Sequence, residues 1–150
     1  MSAYLIVKFF HVFFAITAVG ANLTYGAWFT RAAANPQAAP VILSGVKFID
    51  DRIANAAYGL LLITGLAEVY LGHYPWSTLW IDWALILYVI LLIVAAGFYT
   101  PTLKRQVEAA TKGAMNDDAT KALAARGQFL AGLMGVLVLG ILVLMIFKPA

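Results

Sequence analysis

Hydrophobic residues fall into four long runs along the chain, and short polar stretches separate them. The runs cover residues of about 3–29, 53–72, 79–100 and 127–147. A membrane-spanning helix needs about 20 mostly apolar residues, so each run is long enough to cross a bilayer once. The pattern predicts an all-α, polytopic membrane four-helix bundle that forms a single transmembrane domain over residues 1–150.

The polar stretches predict where these helices begin and end. Asn116 and Asp117 precede a run of good helix formers, so the fourth helix is expected to extend back to about residue 117. Pro101 predicts the end of the third span, because the residue before a proline is disfavoured in helical geometry. The apolar residues within 41–52 fit either a short helix in the membrane interface or a plain loop.

Composition and charge agree with a membrane protein and predict its orientation. Only 11% of residues are charged and the mean hydropathy is +0.89, whereas roughly a quarter of residues are charged in soluble domains. Two loops beside the spans carry eight of the ten basic residues: Arg31, Lys47, Arg52, Lys104, Arg105, Lys112, Lys121 and Arg126. The positive-inside rule places these loops in the cytoplasm and both termini on the non-cytoplasmic side. Bilayer contact therefore explains the basic residues, and no nucleic-acid partner is expected.

Aromatic and small residues predict two further surfaces. Trp76, Trp80 and Trp83 lie where an outer aromatic belt is expected. In the fourth span Gly127, Ala131 and Gly135 recur at a spacing of four and form a smooth strip where another helix can approach closely. That strip fits packing within the bundle, and it also fits a homodimer or a larger membrane complex.

The first span carries polar and small residues on one face. Lys8, His11, Ala15, Ala18 and Asn22 follow steps of three and four, so they share one helical stripe. The bulky phenylalanines between them point in other directions. We expect the stripe to face the bundle and the phenylalanines to face lipid.

His11 is the polar residue of this stripe that most strongly suggests a function. An ionisable group inside a span is costly and indicates a functional site, and Glu68 of the second span is expected at a similar depth. His11 fits a haem ligand, a proton-transfer group or a structural hydrogen bond. Glu68 fits the partner that orients the imidazole, a counter-charge or an ion pair with Lys8. Lys8 fits an interfacial position, and Asn22 fits an interhelical hydrogen bond.

The residue types that are missing narrow the chemistry. The chain has no cysteine, which excludes disulfides, zinc-thiolate sites, iron–sulfur clusters and covalently attached haem. Its two histidines are too few for two haems with paired histidine ligands. One haem with His11 on one face, or with a second His11 from a dimer, remains open. There is no P-loop, serine-nucleophile or zinc-protease motif.

The first span and the entry to the third carry a family resemblance. Lys8, His11, the small residues after them and Arg31 resemble the first helix of a family of bacterial predicted integral membrane proteins. That family is distantly similar to the four-helix protoporphyrinogen oxidases and to the copper-resistance membrane domain. The resemblance implies a four-helix fold in the bacterial cytoplasmic membrane, with haem b bound and with His11 matching an essential histidine. Ala84, in WIDWALILY, stands about where the oxidases have an essential lysine, which argues against the oxidase reaction.

These observations lead to one functional hypothesis and two alternatives. The sequence predicts an integral membrane protein that binds haem b or a related porphyrin through His11 as the metal ligand, with Glu68, Lys8 and Asn22 around it. It would serve redox chemistry, as a membrane oxidoreductase, or porphyrin handling. The first alternative is a non-catalytic accessory subunit of a larger membrane complex. The second is a small proton-coupled transporter that uses His11 and Glu68.

Overall fold

The computed structural model describes residues 2–149 and consists of four long helices. They are α1 (Ala3–Ala34), α2 (Ala39–Leu71), α3 (Leu79–Thr111) and α4 (Asp118–Phe147). Each is long and apolar enough to cross a membrane, and the described residues contain no β-strand. The predicted all-α four-helix fold is confirmed.

The helices are longer than a bilayer requires. They contain 30 to 33 residues, or about 45–50 Å at 1.5 Å per residue, whereas the hydrocarbon core is about 30 Å thick. The connections 35–38 and 112–117 lie together at one end of the bundle, which we call the basic end because the basic loops meet there. The connection 72–78 and the first and last described residues, Ser2 and Pro149, lie at the other, which we call the terminal end.

The two halves of the bundle are packed differently. Four of the five largest side chains that are fully buried lie in the half toward the basic end: Tyr25, Val46, Tyr99 and Leu103. Apolar side chains elsewhere cover the outer surface, as with Ile63 (64% exposed) and Val136 (67% exposed). An apolar surface on this scale requires lipid around it, so the chain is an integral membrane protein.

The segment after the first span is helical and belongs to the bundle. α2 begins at Ala39, and Ala39, Leu43 and Val46 are buried where this part of α2 packs against α1 and the last turns of α3. The segment is therefore neither a plain loop nor a separate interfacial helix. Its apolar residues recur at steps of three and four, which lets them bury against protein as a continuation of the second span.

Pro101 does not end the third helix, and that prediction is wrong. α3 continues to Thr111, and a π-turn over Ala95–Tyr99 immediately precedes the proline segment. A proline ring clashes with the carbonyl four residues earlier, which here belongs to Gly97 within the π-turn. The wider turn relieves this clash, and Pro101 then occupies the first turn of the following α-helical segment, where its missing N–H is tolerated.

The predicted aromatic belt is corrected at one of its three tryptophans. Trp76 and Trp83 are exposed, as a belt requires, but Trp80 is buried and packs edge-on against Tyr74 with 5.7 Å between ring centroids. Trp80 therefore lies on the inner face of α3 and does not belong to the belt.

The small-residue strip of α4 does not form one surface. Gly127 is buried, and a Cβ there would lie 2.5 Å from Nε2 of Gln106 in α3. Ala131 packs at the edge of the core, whereas Gly135 is exposed with open space beside it. Gly127 therefore serves packing within the bundle, and it is not available to a second copy.

Candidate functional site

The half of the bundle toward the terminal end encloses a large cavity. Its volume is about 670 Å³, within the roughly 300–1,000 Å³ range of small-molecule sites. All four helices line it, mostly with apolar side chains. Along α1 the lining runs from Lys8 to Leu23, about 22 Å at 1.5 Å per residue. The cavity therefore reaches from the terminal end to the middle of the bundle.

The cavity exists because the helices pack as two pairs that separate toward the terminal end. α1 packs along α2, and α3 packs along α4. No Cα atoms of Asn55–Leu71 and Leu79–Val94, which are described in full, lie within 8 Å of each other. Side chains still bridge the two helices: at mid-depth the hydroxyl of Tyr88 donates to the carbonyl of Tyr58 at 2.6 Å, and nearer the terminal end Val69 packs in one cluster with Trp80 and Ile81. The most exposed apolar residues of the lining are Ile16, Leu23 and Ile146, so the cavity opens toward the bilayer between α1 and α4.

His11 lies in the wall of this cavity, and its hydrogen bonds define its protonation state. Nδ1 lies 3.0 Å from Oγ1 of Thr64 and 3.1 Å from the carbonyl oxygen of Leu61. The Thr64 hydroxyl gives its own proton to the carbonyl of Leu60 at 2.7 Å, so both neighbours of Nδ1 accept. Nδ1 must therefore carry a proton, and in the neutral ring Nε2 keeps a free lone pair.

A glycine of α2 makes room for the imidazole. A Cβ at Gly65 would lie 3.0 Å from Cε1 of His11, closer than side chains normally approach. The imidazole therefore lies directly against the α2 backbone. Thr64 and Gly65 together set the position and the tautomer of His11.

Glu68 lines the same cavity but does not orient the imidazole. Its Oε1 is buried without a hydrogen-bond partner among residues 2–149, and the partners of His11 Nδ1 come from Thr64 and Leu61 instead. Within the described chain the ion pairs are Lys47–Asp51 and Lys121–Asp118. The pair that the sequence suggested between Lys8 and Glu68 is therefore not formed.

Two lysines stand at the terminal end of the cavity. Lys8 and Lys148 both line it. The ammonium of Lys148 lies 5.1 Å from the ring centroid of Tyr74 and 5.2 Å from that of Trp80. The Tyr4 hydroxyl and then this ammonium lower the pKa of Tyr74, because both stabilise its phenolate. The mouth of the cavity thus carries positive charge beside aromatic rings.

Asn22 makes the interhelical contact expected of it. Its Nδ2 donates to the hydroxyl of Tyr58 at 2.8 Å and to the carbonyl of Ala18 at 2.9 Å. Asn22 does not line the cavity, whereas Tyr58 does. Asn22 therefore positions Tyr58 at the inner end of the cavity.

Comparison with protein families identifies the group to which the chain belongs. The family described as Predicted integral membrane protein (DUF2269) matches residues 5–149. The chain belongs to this family. No curated protein and no solved structure matches the chain. The wider resemblance to the protoporphyrinogen oxidases and the copper-resistance domain stays a prediction.

The structure brings most of the proposed site residues of this family member together. Lys8, His11 and Glu68 line one cavity, and Ala84 forms part of its wall. The sequence did not indicate three further residues that help to form the site: Thr64, Gly65 and Lys148. Thr64 had a detectable signal, since it is a polar residue in an apolar run one helical turn before Glu68.

Proposed function

We propose that the protein binds haem b or a closely related porphyrin in the cavity, with His11 as the residue that would hold its iron. The observation that carries the proposal is a cavity lined by His11, whose Nε2 has no hydrogen-bond partner among the described residues. Within residues 2–149 no group of three His, Asp or Glu side chains could hold a bare metal ion. A haem iron needs only one such ligand from this chain, because the macrocycle supplies four nitrogens.

The cavity matches the chemistry of a porphyrin. The macrocycle is flat and apolar, and the lining of the cavity is mostly aliphatic and aromatic. The two propionates of haem b are anions, and Lys8 and Lys148 stand at the terminal end where they would pair with them. The apolar macrocycle would therefore lie against the apolar lining, and its propionates would lie near Lys8 and Lys148.

The hydrogen bond of His11 supports ligation of iron. Histidine ligands almost always donate their second ring N–H to a carbonyl, carboxylate or water, which fixes the tautomer and raises the basicity of the other nitrogen. Nδ1 already has such acceptors in Thr64 and Leu61. Nε2 has no hydrogen-bond partner among the described residues, so no internal bond must break before it binds a ligand.

A bound haem would supply one-electron redox chemistry. The residues of this chain would hold its iron at Nε2 of His11, pair its carboxylates at Lys8 and Lys148, and exclude water by the apolar wall. Glu68, with a buried unpartnered oxygen in the same cavity, would accept or hold a proton there. The opening between α1 and α4 would admit a hydrophobic ligand from the bilayer.

We also infer the location and orientation of the protein. The basic end carries eight of the ten basic residues, which supports a cytoplasmic position for that end. The terminal end, with the cavity mouth, would then face the outside of a bacterial cytoplasmic membrane.

The visible spectrum of the purified protein tests the proposal. Protein prepared in mild detergent from haem-replete cells is expected to show a Soret band. His11→Ala should abolish this band while gel filtration and circular dichroism show a folded protein. His73→Asn is the matched control, because His73 is the second of the two histidines and lies in the connection 72–78, and asparagine tolerates its positive φ of 53°. It should keep the band.

Two results would overturn the proposal. A colourless wild-type protein that also fails to bind added haemin would favour the accessory-subunit alternative. A Soret band that survives in His11→Ala would show that His11 is not the ligand.

A further inference from the structure

A second group of polar side chains lies deeper in the bundle, beyond the cavity. Tyr25 of α1, Asp50 of α2 and Tyr99 of α3 are 1%, 4% and 2% exposed. The hydroxyls of both tyrosines and Oδ2 of Asp50 have no hydrogen-bond partner within the described residues. Buried polar atoms are rarely left unpaired, since each costs about 1–3 kcal/mol.

The three side chains are neighbours contributed by three different helices. Tyr25 and Asp50 lie close enough for their polar groups to interact, and Tyr99 interacts with both. Asp50 and Tyr99 each belong to one of the two π-turns, Asp50–Ala54 and Ala95–Tyr99. π-turns redirect side chains and are frequent at functional sites. Here the two turns bring their polar residues to one place.

The charge of Asp50 is only partly compensated. Lys47, the nearest cation on its own helix, pairs with Asp51 and offsets the charge of Asp50 in part. The negative charge of Asp51 acts in the opposite direction, and α4 adds no titratable group among the described residues. The other titratable groups around Asp50 are Tyr25, Tyr58 and Tyr99. Burial of a carboxylate is costly, so burial and the neighbouring Asp51 both favour the neutral acid of Asp50.

Tyr58 connects this group to the cavity. Its ring lines the cavity, and it lies near both Asp50 and Tyr99. Its oxygen accepts a hydrogen bond from Asn22, so its own proton remains available to donate. On the other side, Asp51 is exposed toward the basic end.

We propose that Tyr25, Asp50 and Tyr99 enclose a buried water site, and that protonated Asp50 passes its proton between the basic end and the cavity. A hydronium ion at the basic end protonates the Asp50 carboxylate and leaves as water. On release, the proton moves through the enclosed water to the oxygen of Tyr58, which at the same time gives its own proton to a water molecule at the inner end of the cavity. Asp50 then returns to the carboxylate. Tyr58 is neutral before and after the transfer. The path supplies protons to the proposed haem site, but it does not depend on a porphyrin being bound.

Infrared spectroscopy of the full-length protein in liposomes tests this assignment. At mildly acidic pH we expect the carbonyl stretch of a protonated carboxylic acid, shifted when the sample is moved into ²H₂O. Asp50→Asn should remove this band. Asp51→Asn, which changes the exposed neighbour, should retain it. Tyr99→Phe keeps the ring and removes one hydroxyl, so it should shift the band without unfolding the protein even if Asp50→Asn is unstable.

Proton entry into the same liposomes, followed with an enclosed pH-sensitive dye after a pH jump, gives a second readout. Asp50→Asn and Tyr58→Phe should slow it, and Asp51→Asn should not. The assignment is overturned if no protonated-acid band is present, if the band survives Asp50→Asn, or if Tyr99→Phe leaves its frequency unchanged. It also fails if the two path variants conduct protons like the wild type. These outcomes are independent of the Soret band, so each proposal can fail alone.

Discussion

At the scale of single residues, Thr64 determines which nitrogen of His11 carries the proton. Its hydroxyl donates to Leu60 and therefore accepts from Nδ1, which leaves Nε2 unprotonated in the neutral ring. The polar stripe of α1 was readable from spacing alone, because residues three and four apart share a helical face. The partner of His11 was not, since Leu61 and Thr64 lie 50 and 53 residues further along the chain.

Thr64→Val tests the role of this hydroxyl. Valine has nearly the same shape but cannot accept, so haemin affinity should fall by about tenfold, the lower end for loss of an outer hydrogen bond to a metal ligand. The Leu61 carbonyl remains as an acceptor, which limits the loss. Titration of the haem-free protein with haemin measures it.

Thr24→Val is the matched control, because Thr24 bonds only within α1, to the carbonyl of Ala21. It should leave the affinity unchanged. Equal affinities for Thr64→Val and the wild type would contradict a role for Thr64 in ligation.

At the scale of helices, close approach of α3 and α4 depends on Gly127. Gln106 of α3 donates to the carbonyl of Leu123 in α4 at 2.7 Å, and its amide occupies the space that a Cβ at Gly127 would need. The spacing of small residues in α4 indicated a packing strip, but it did not show which members face the bundle. That depends on the rotation of α4 about its own axis, which its neighbours determine.

Gly127→Ala should destabilise the protein by about 1 kcal/mol, the usual value of one hydrogen bond, because Gln106 must leave Leu123. Gly132→Ala should be neutral or stabilising by up to about 1 kcal/mol, since it meets open space and alanine favours helix. Thermal unfolding in detergent compares them. The double variant Gln106→Ala/Gly127→Ala should lose less stability than the sum of the losses in the two single variants. If Gly127→Ala is as harmless as Gly132→Ala, the assigned contact is wrong.

At the scale of the whole molecule, the bundle is closed at the basic end and hollow toward the terminal end. The π-turns lie near the boundary between the two parts. From Asp50 to Leu71, α2 rises about 32 Å, close to the thickness of the hydrocarbon core. The cavity therefore lies within the membrane, and the packed extension of the helices lies largely outside it.

Filling the cavity should weaken ligand binding without unfolding the bundle. Ala84→Phe projects a ring from the wall into the cavity, so haemin affinity should fall at least about tenfold, or 1.4 kcal/mol. Ile86→Phe changes a lipid-facing position on the same helix, 47% exposed, and should bind haemin normally. Binding by both variants would place the ligand elsewhere.

The sequence by itself determined the number of helices, their membrane character and the inward face of α1. These follow from local sums of hydropathy and from helical periodicity, which need no knowledge of neighbouring helices. Only the tertiary structure decided that α2 and α3 separate around a cavity, that Thr64 rather than Glu68 orients His11, and that Tyr25, Asp50 and Tyr99 meet. Each of these depends on the distance and rotation between helices far apart in the chain, and those are set by packing of the whole bundle.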